Sequence, residues 1–132
     1  MALRGSTAQE RTWNFFCDKG LNHYAISGIM ASIRAESGFN PRNLQNSCEK
    51  KSGYTDATYT AAVDNGSYAN FIRDSFGYGY AQWTYWSRKQ NLLNFAKKKG
   101  KSIGDEEMQL EFLWEELSLS LIHISEPTRH LR

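Results

Sequence analysis

Histidine and cysteine are scarce in this 132-residue chain, three and two residues respectively, so no set of ligands is spaced for a zinc site. An excess of one charge is also missing. Sixteen Lys and Arg against fourteen Asp and Glu give a formal net charge of +2, too little for an electrostatic footprint on nucleic acid. No apolar run approaches the roughly 20 residues that span a bilayer, and residues 1–8 hold no apolar segment of the kind found in a secretory signal. Neither an internal repeat nor a linker divides the chain. What is present is 40% apolar and 14% aromatic residues, at a length common for one ordered domain. The expectation is a single domain that needs no metal or cofactor and binds neither nucleic acid nor a membrane.

Hydrophobic spacing makes the class mainly α. Thr7 and Glu10 form a capping-box pattern ahead of a helix with Trp13, Phe16 and Cys17 on one face and Gly20 as its stop. A second helix is expected over about residues 22–37. It places Ile26, Ile29, Met30 and Ile33 at the i, i+3, i+4, i+7 spacing of a buried stripe, and Gly38 and Asn40-Pro41 end it. Residues 40–53 are polar and read as loop. Residues 55–64 read as a short helix ended by Asn65-Gly66, while 68–80 is open between strand and helix, with Gly77 and Gly79 marking close backbone approach. Residues 85–99 form a helix with Leu92, Leu93 and Ala96 inward and three lysines at the negative end of its dipole, before Gly100. Ser102 is expected to cap the last helix, with Asp105, Glu106 and Glu107 in its first turn and Leu110, Leu113, Trp114 and Leu117 as its stripe.

The candidate chemistry centres on Glu36. One more turn of the second helix's apolar stripe lands on Glu36 or Ser37. A carboxyl group at a core edge loses water, which favours the neutral, proton-donating form that a general acid for glycoside cleavage needs. Residues 78–86 are dense in aromatics whose faces can pack on sugar rings. Tyr80 and Tyr85 are expected at a cleft and Trp83 partly buried, and Gln82 can both donate to and accept from an N-acetyl or hydroxyl group. A second carboxylate often stabilises the oxocarbenium-like sugar. Asp56, Asp64 and Asp74 are available, Asp74 being closest in sequence to this aromatic segment; its plainer reading is a surface aspartate, solvated or paired with Arg73. His23 reads as a surface residue and Cys17 as a core one, which weakens a cysteine-peptidase reading. Cys17 and Cys48 could pair or remain free thiols.

Arg34-Ala35-Glu36-Ser37-Gly38-Phe39-Asn40-Pro41 resembles the Glu-Ser-Gly-Phe-Asn-Pro signature of soluble lytic transglycosylases and goose-type lysozymes. Gly77-Tyr78-Gly79-Tyr80-Ala81-Gln82-Trp83-Thr84 resembles their second motif, a glycine-led segment whose glutamine lines the sugar cleft. With Leu44-Gln45-Asn46-Ser47 between and Arg88-Lys89-Gln90-Asn91-Leu92-Leu93 after, residues 12–117 are similar to the phage-tail lysozyme family in particular. The resemblance implies a lysozyme-like fold and a monomeric enzyme. It also implies cleavage of the β-1,4 bond between N-acetylmuramic acid and N-acetylglucosamine in bacterial peptidoglycan. Glu36 would be the catalytic acid, with Gln82, Tyr80, Tyr85 and Ser37 binding substrate and Asp74 a possible second carboxylate. The setting would be a phage tail, beside other tail proteins, or the cell wall after release. Two alternatives stay open: a lytic transglycosylase leaving anhydro ends, and a non-catalytic tail module that binds cell wall.

Residues 119–129 resemble, codon for codon, a translated transposase sequencing adapter. This reading divides the chain into an N-terminal extension (1–8), a lysozyme-like domain (9–118) truncated at its C-terminus, and a non-native tail (119–132). Setting aside Arg129, Arg132 and Glu126 leaves 14 basic and 13 acidic residues, a net charge of +1, and His23 as the one histidine. Leu113, Trp114 and Leu117 would then be short of partners.

Overall fold

The local signals at the start of the chain form as read. Thr7 Oγ1 accepts from Glu10 N at 3.1 Å and the Glu10 carboxylate accepts from Thr7 N, so the capping box opens α1 (Ala8–Asp18). Asn22 caps α2 (His23–Ser37) by accepting from Ala25 N, and Gly38 closes it in the left-handed conformation. These elements belong to a computed structural model that describes residues 3–124. Among the described residues six helices share one core, so the class is mainly α.

Residues 40–53 depart from the expected loop. They contain α3 (Asn46–Ser52), which has no side-chain cap and buries only Cys48. Without an apolar period, what favours this short helix is local: Glu49 in its first turn, Lys50 and Lys51 in its last, and Gly53 after it. Next, α4 (Asp56–Asn65) ends at Gly66, as read, and begins on a capping box between Thr55 and Thr58 that the sequence reading did not name.

Residues 68–85 are neither strand nor helix. They run through turns held by two isolated bridges, Leu44 with Tyr78 and Tyr78 with Trp83. Backbone bonds tie this segment to the chain beyond α2, from Gly79 N to Asn43 O and from Gln45 N to Gly77 O. Gly79 has φ +83°, and a Cβ there would lie 3.0 Å from both the Gln109 amide and the Trp83 ring, so the turn requires glycine twice over.

The expected helix at 85–99 is α5 (Trp86–Lys99), with Leu92 and Ala96 buried and Leu93 half-buried. The last is α6 (Glu106–Ile124), and its cap differs from expectation. Asp105 Oδ2 accepts from Met108 N at 2.9 Å, whereas Ser102 Oγ turns away to Asp64. Asp105 directly precedes the first helical residue, which places its carboxylate against the orphan N–H groups. Within residues 106–119 of α6, Met108, Gln109, Leu110 and Phe112 are buried, while Leu113, Trp114 and Leu117 are half-buried. The helix continues past Ser118, where the domain was expected to end, and residues 125–132 of the expected tail lie outside the described residues. No helix among the described residues is long and apolar enough to cross a membrane.

The core is rich in tyrosine, and each buried hydroxyl has a partner. Tyr59 and Tyr68 donate to Asp74, Tyr78 pairs with Thr60, and Tyr80 donates to Glu106. Burial, with help from nearby carboxylates, holds all four hydroxyls protonated above the ordinary tyrosine range. The unfolded chain ionises its tyrosines from about pH 10. Above that value the folded state therefore binds more protons, and its stability is lost as pH rises. Lys89, held low by burial, acts the other way, but only up to its unfolded value of about 10.4. The urea midpoint should fall steeply above about pH 10.5, with up to about 1.4 kcal/mol per pH unit from each fully buried tyrosine. Tyr80→Phe should make that slope shallower in an equilibrium unfolding series; an unchanged slope would show that Tyr80 does not titrate differently on folding.

Candidate functional site

The last turn of α2 sets the site, and it corrects one expectation. Ile26 and Ile33 are buried, and the next position on their stripe is Ser37, four residues after Ile33. Glu36 lies about 100° around the helix from Ser37 and is exposed rather than drawn to the core edge. Among the described residues no hydrogen bond or ion pair engages it. Ser37 is 8% exposed, and its hydroxyl lies 3.0 Å from both Ile33 O and Tyr80 O, which offsets the cost of burying it. The hydroxyl expected to touch substrate instead fastens the helix end to the 77–83 turn.

Beyond Gly38 the chain is held tightly. Phe39 has φ 62°, a conformation costing a non-glycine residue about 1–2 kcal/mol, and its ring packs edge-on against Tyr80 at 6.1 Å. Asp56 fixes residues 40–44, accepting from Asn40 Nδ2 and from Leu44 N at 2.9 Å each.

Gln82 is also held at positive φ, 49°, as is Ser75 at 61°. Its Nε2 donates to Asn43 O at 2.8 Å and to Gly79 O at 3.2 Å. Its Oε1 occupies the space a side chain at Gly77 would need, 2.6 Å from an ideal Cβ. Tyr80, expected at a cleft, is fully buried. Its N–H donates to Gln109 and its hydroxyl to Glu106, which also pairs with Arg11. Trp83 is buried completely rather than partly, and its indole N–H donates to Glu116, which Arg88 clasps with two further bonds. Tyr85 is 65% exposed beside Trp86 at 53%, their ring centroids 6.3 Å apart. The structure thus brings Ser37, Tyr80 and Gln82 into one knot at the end of α2, with Glu36 outside it and Tyr85 on the surface three residues after Gln82.

Asp74 is elsewhere in the architecture. Its side chain is 2% exposed and pairs with Lys89, which is fully buried. Four donors meet the carboxylate: Lys89 Nζ, the Phe76 N–H, and the hydroxyls of Tyr59 and Tyr68. The Lys89 ammonium also donates to Phe76 O and sits 4.2 Å from the Phe71 ring centroid. A surface aspartate paired with Arg73 is therefore not what forms. Sequence reading missed Lys89, although 89, 92 and 96 share the buried stripe of α5. Asp64 is likewise engaged, by Ser102 Oγ and Ile103 N.

The remaining candidates are plain. His23 is exposed, its ring 5.2 Å from that of Trp13, and Cys17 and Cys48 are both free thiols. Among the described residues no group of three or more His, Cys, Asp or Glu side chains could hold a metal ion.

Asp74→Ala should cost about 3–5 kcal/mol in urea unfolding, because it strands a buried ammonium; a loss under 1 kcal/mol would show the pair to be dispensable. Gly77→Ala should displace the Gln82 amide and lower the urea midpoint while far-UV circular dichroism stays native. An unchanged midpoint would show that the turn accommodates a side chain at residue 77 without loss.

The model of the phage tail lysozyme family matches residues 7–129, nearly the whole chain and past the expected boundary at Ser118. No curated protein and no solved structure matches it.

Proposed function

The chain belongs to the phage tail lysozyme family, a family with a lysozyme-like function at the bacterial cell wall, and on that premise we propose that it is a peptidoglycan glycosidase with Glu36 as its general acid. One observation carries the reading. Glu36 is an unengaged, exposed carboxyl on a helix end whose neighbour Ser37 is locked to the rigid turn bearing Gln82. General acid catalysis needs a proton donor within hydrogen-bond reach of the leaving oxygen, and this arrangement offers one on a fixed base.

The proposed bond is the β-1,4 link between N-acetylmuramic acid and N-acetylglucosamine, and residues 9–118 are the unit proposed to cut it. Glu36 protonates the glycosidic oxygen, and the bond breaks through an oxocarbenium-like sugar. Tyr85, with Trp86 beside it, supplies an exposed aromatic face for a sugar ring. Ser37, Tyr80 and Gln82 act from behind by fixing the shape of the surface. The proposed setting is a phage tail, among other tail proteins, with peptidoglycan as the substrate.

A specific observation favours a second reading of the final step. Asp56, Asp64 and Asp74 are all hydrogen-bonded within the fold, and Asp74 is buried. With these occupied, capture of the sugar by its own hydroxyl, closing an anhydro ring, needs no second carboxylate.

Glu36→Gln should lower cell-wall clearing by at least about 100-fold with an unchanged far-UV spectrum; retained activity removes Glu36 from the mechanism. Mass spectrometry of digested peptidoglycan then separates reducing ends from anhydro ends. Binding to cell walls without release of either would mean a non-catalytic wall-binding module.

A further inference from the structure

Tyr80 meets the end of α2 at two points, one on each side of Gly38. Its carbonyl accepts from the Ser37 hydroxyl at 3.0 Å, and its ring packs edge-on against Phe39. Together these contacts set how the chain turns just after Glu36. Tyr80 is fully buried, so its hydroxyl needs an acceptor inside the protein, and Glu106 Oε2 accepts it at 2.9 Å. Glu106 itself has water as a competitor, since its side chain is 19% exposed in the first turn of α6. Arg11 of α1 is what turns its carboxylate inward. The Arg11 Nε lies 3.0 and 3.2 Å from the two Glu106 oxygens, and its Nη1 donates to Gly5 O at 3.3 Å. Hydrogen bonds therefore run without a gap from Gly5 through Arg11, Glu106 and Tyr80 to Ser37, the residue next to Glu36.

We propose that Arg11 and Glu106 are positioning residues for Glu36, acting through Tyr80. The inference rests on the proposed glycosidase reading and adds to it two residues that stand behind the surface. An ion pair as exposed as this one contributes little to stability, so its effect is sought in the site. A charged acceptor grips the phenol more firmly than a neutral one. Without Arg11 the carboxylate swings toward water, and the Tyr80 hydroxyl is stranded in the core until its ring moves to recover a partner. Ring movement reaches the end of α2 directly, because Phe39 rests on the ring and Ser37 on the carbonyl. Misplacing a reacting group by about 1 Å costs on the order of 100-fold in rate. Gln109 still holds the Tyr80 N–H from the next turn of α6, so the backbone moves less than the ring and the loss is smaller than that.

A double-mutant cycle tests this. The kcat and KM on soluble peptidoglycan fragments are measured for the intact chain, Arg11→Ala, Tyr80→Phe and the two combined. Arg11→Ala should lower kcat about 10-fold and leave KM within about 2-fold, because position rather than binding is lost. Tyr80→Phe should behave alike, and the combined variant should match the slower single one within about 2-fold. Arg4→Ala, which breaks only the exposed pair with Asp18, should leave kcat unchanged. Losses that multiply in the combined variant, a loss in KM instead of kcat, an equal loss in Arg4→Ala, or full activity in Arg11→Ala overturn the inference. A second measurement needs no turnover. The ¹⁵N amide signals of Ser37 and Gly38 should shift in both Arg11→Ala and Tyr80→Phe and stay in place in Arg4→Ala; unmoved signals in Arg11→Ala overturn the coupling. If the intact chain cleaves no peptidoglycan, the glycosidase reading falls, while the amide signals still decide whether Arg11 holds the end of α2.

Discussion

A buried side-chain amide, that of Gln109, holds together the segments on which the candidate site is built. Its oxygen accepts from Tyr80 N at 2.9 Å, and its nitrogen donates to Pro41 O at 2.6 Å and Ile103 O at 2.7 Å. Thus α6 reaches back to the turn that carries Gln82, to the chain that leaves α2, and to the loop that precedes its own first turn. Each of these three backbone groups would lose a partner if the amide were removed, and a buried unsatisfied group costs about 1–3 kcal/mol. The amide also fills the space beside Gly79, so residue 79 and residue 109 determine each other. In a region without strand or helix, such side-chain bonds do the work that ladder hydrogen bonds do elsewhere.

Of the three non-glycine residues at positive φ among the described residues, two lie where that bracing is densest, and the third, Ser75, follows Asp74. Phe39 and Gln82 both have positive φ and stand on the two segments that Gln109 and Ser37 join. Strain of this kind persists only where the surroundings over-determine it, and it concentrates at functional sites. The Asp74–Lys89 pair plays a different part. Desolvating two charges consumes much of what their attraction returns, so the pair adds little net stability, whereas losing either partner would be costly. Its four donors fix where residues 68–76 cross the core, which in turn fixes the start of the 77–83 turn.

Much of this was legible in the residues, for identifiable reasons. The capping box at Thr7, the glycine stops at 38, 66 and 100, and the Ile26 and Ile33 positions of the α2 stripe are local or periodic signals that formed as read, whereas Ile29 and Met30 are only half-buried. α3 carried no period, since one buried cysteine cannot make one. Glu36 and Ser37 could not be ranked from spacing, because the choice turned on one hydroxyl finding Tyr80 O, 43 residues away. Tyr80 and Asp74 misled for the same reason in reverse: their partners, Glu106 and Lys89, lie far along the chain. Polar residues on buried stripes were the unused signal. Lys89 and Gln109 both sit there, and a fully buried polar side chain must be satisfied by something specific.

An exposed acid at Glu36 fits a glycan substrate better than a buried one would. A polymer strand needs an open approach, and a proton donor sealed in the core could not reach its glycosidic oxygen. What a glycosidase acting through Glu36 would have to supply beforehand is position, and position here comes from the carboxyl's neighbours rather than from bonds to the carboxyl itself. Ser37 is locked, Gly38 and Phe39 turn the chain sharply, and Asp56 fastens Asn40 and Leu44 just beyond them. The strand laid across this end of α2 would then exclude water from Glu36, so substrate binding itself would complete the environment that proton transfer requires. On this account the buried polar groups of the fold hold the surface around Glu36 still and leave the proposed proton donor free.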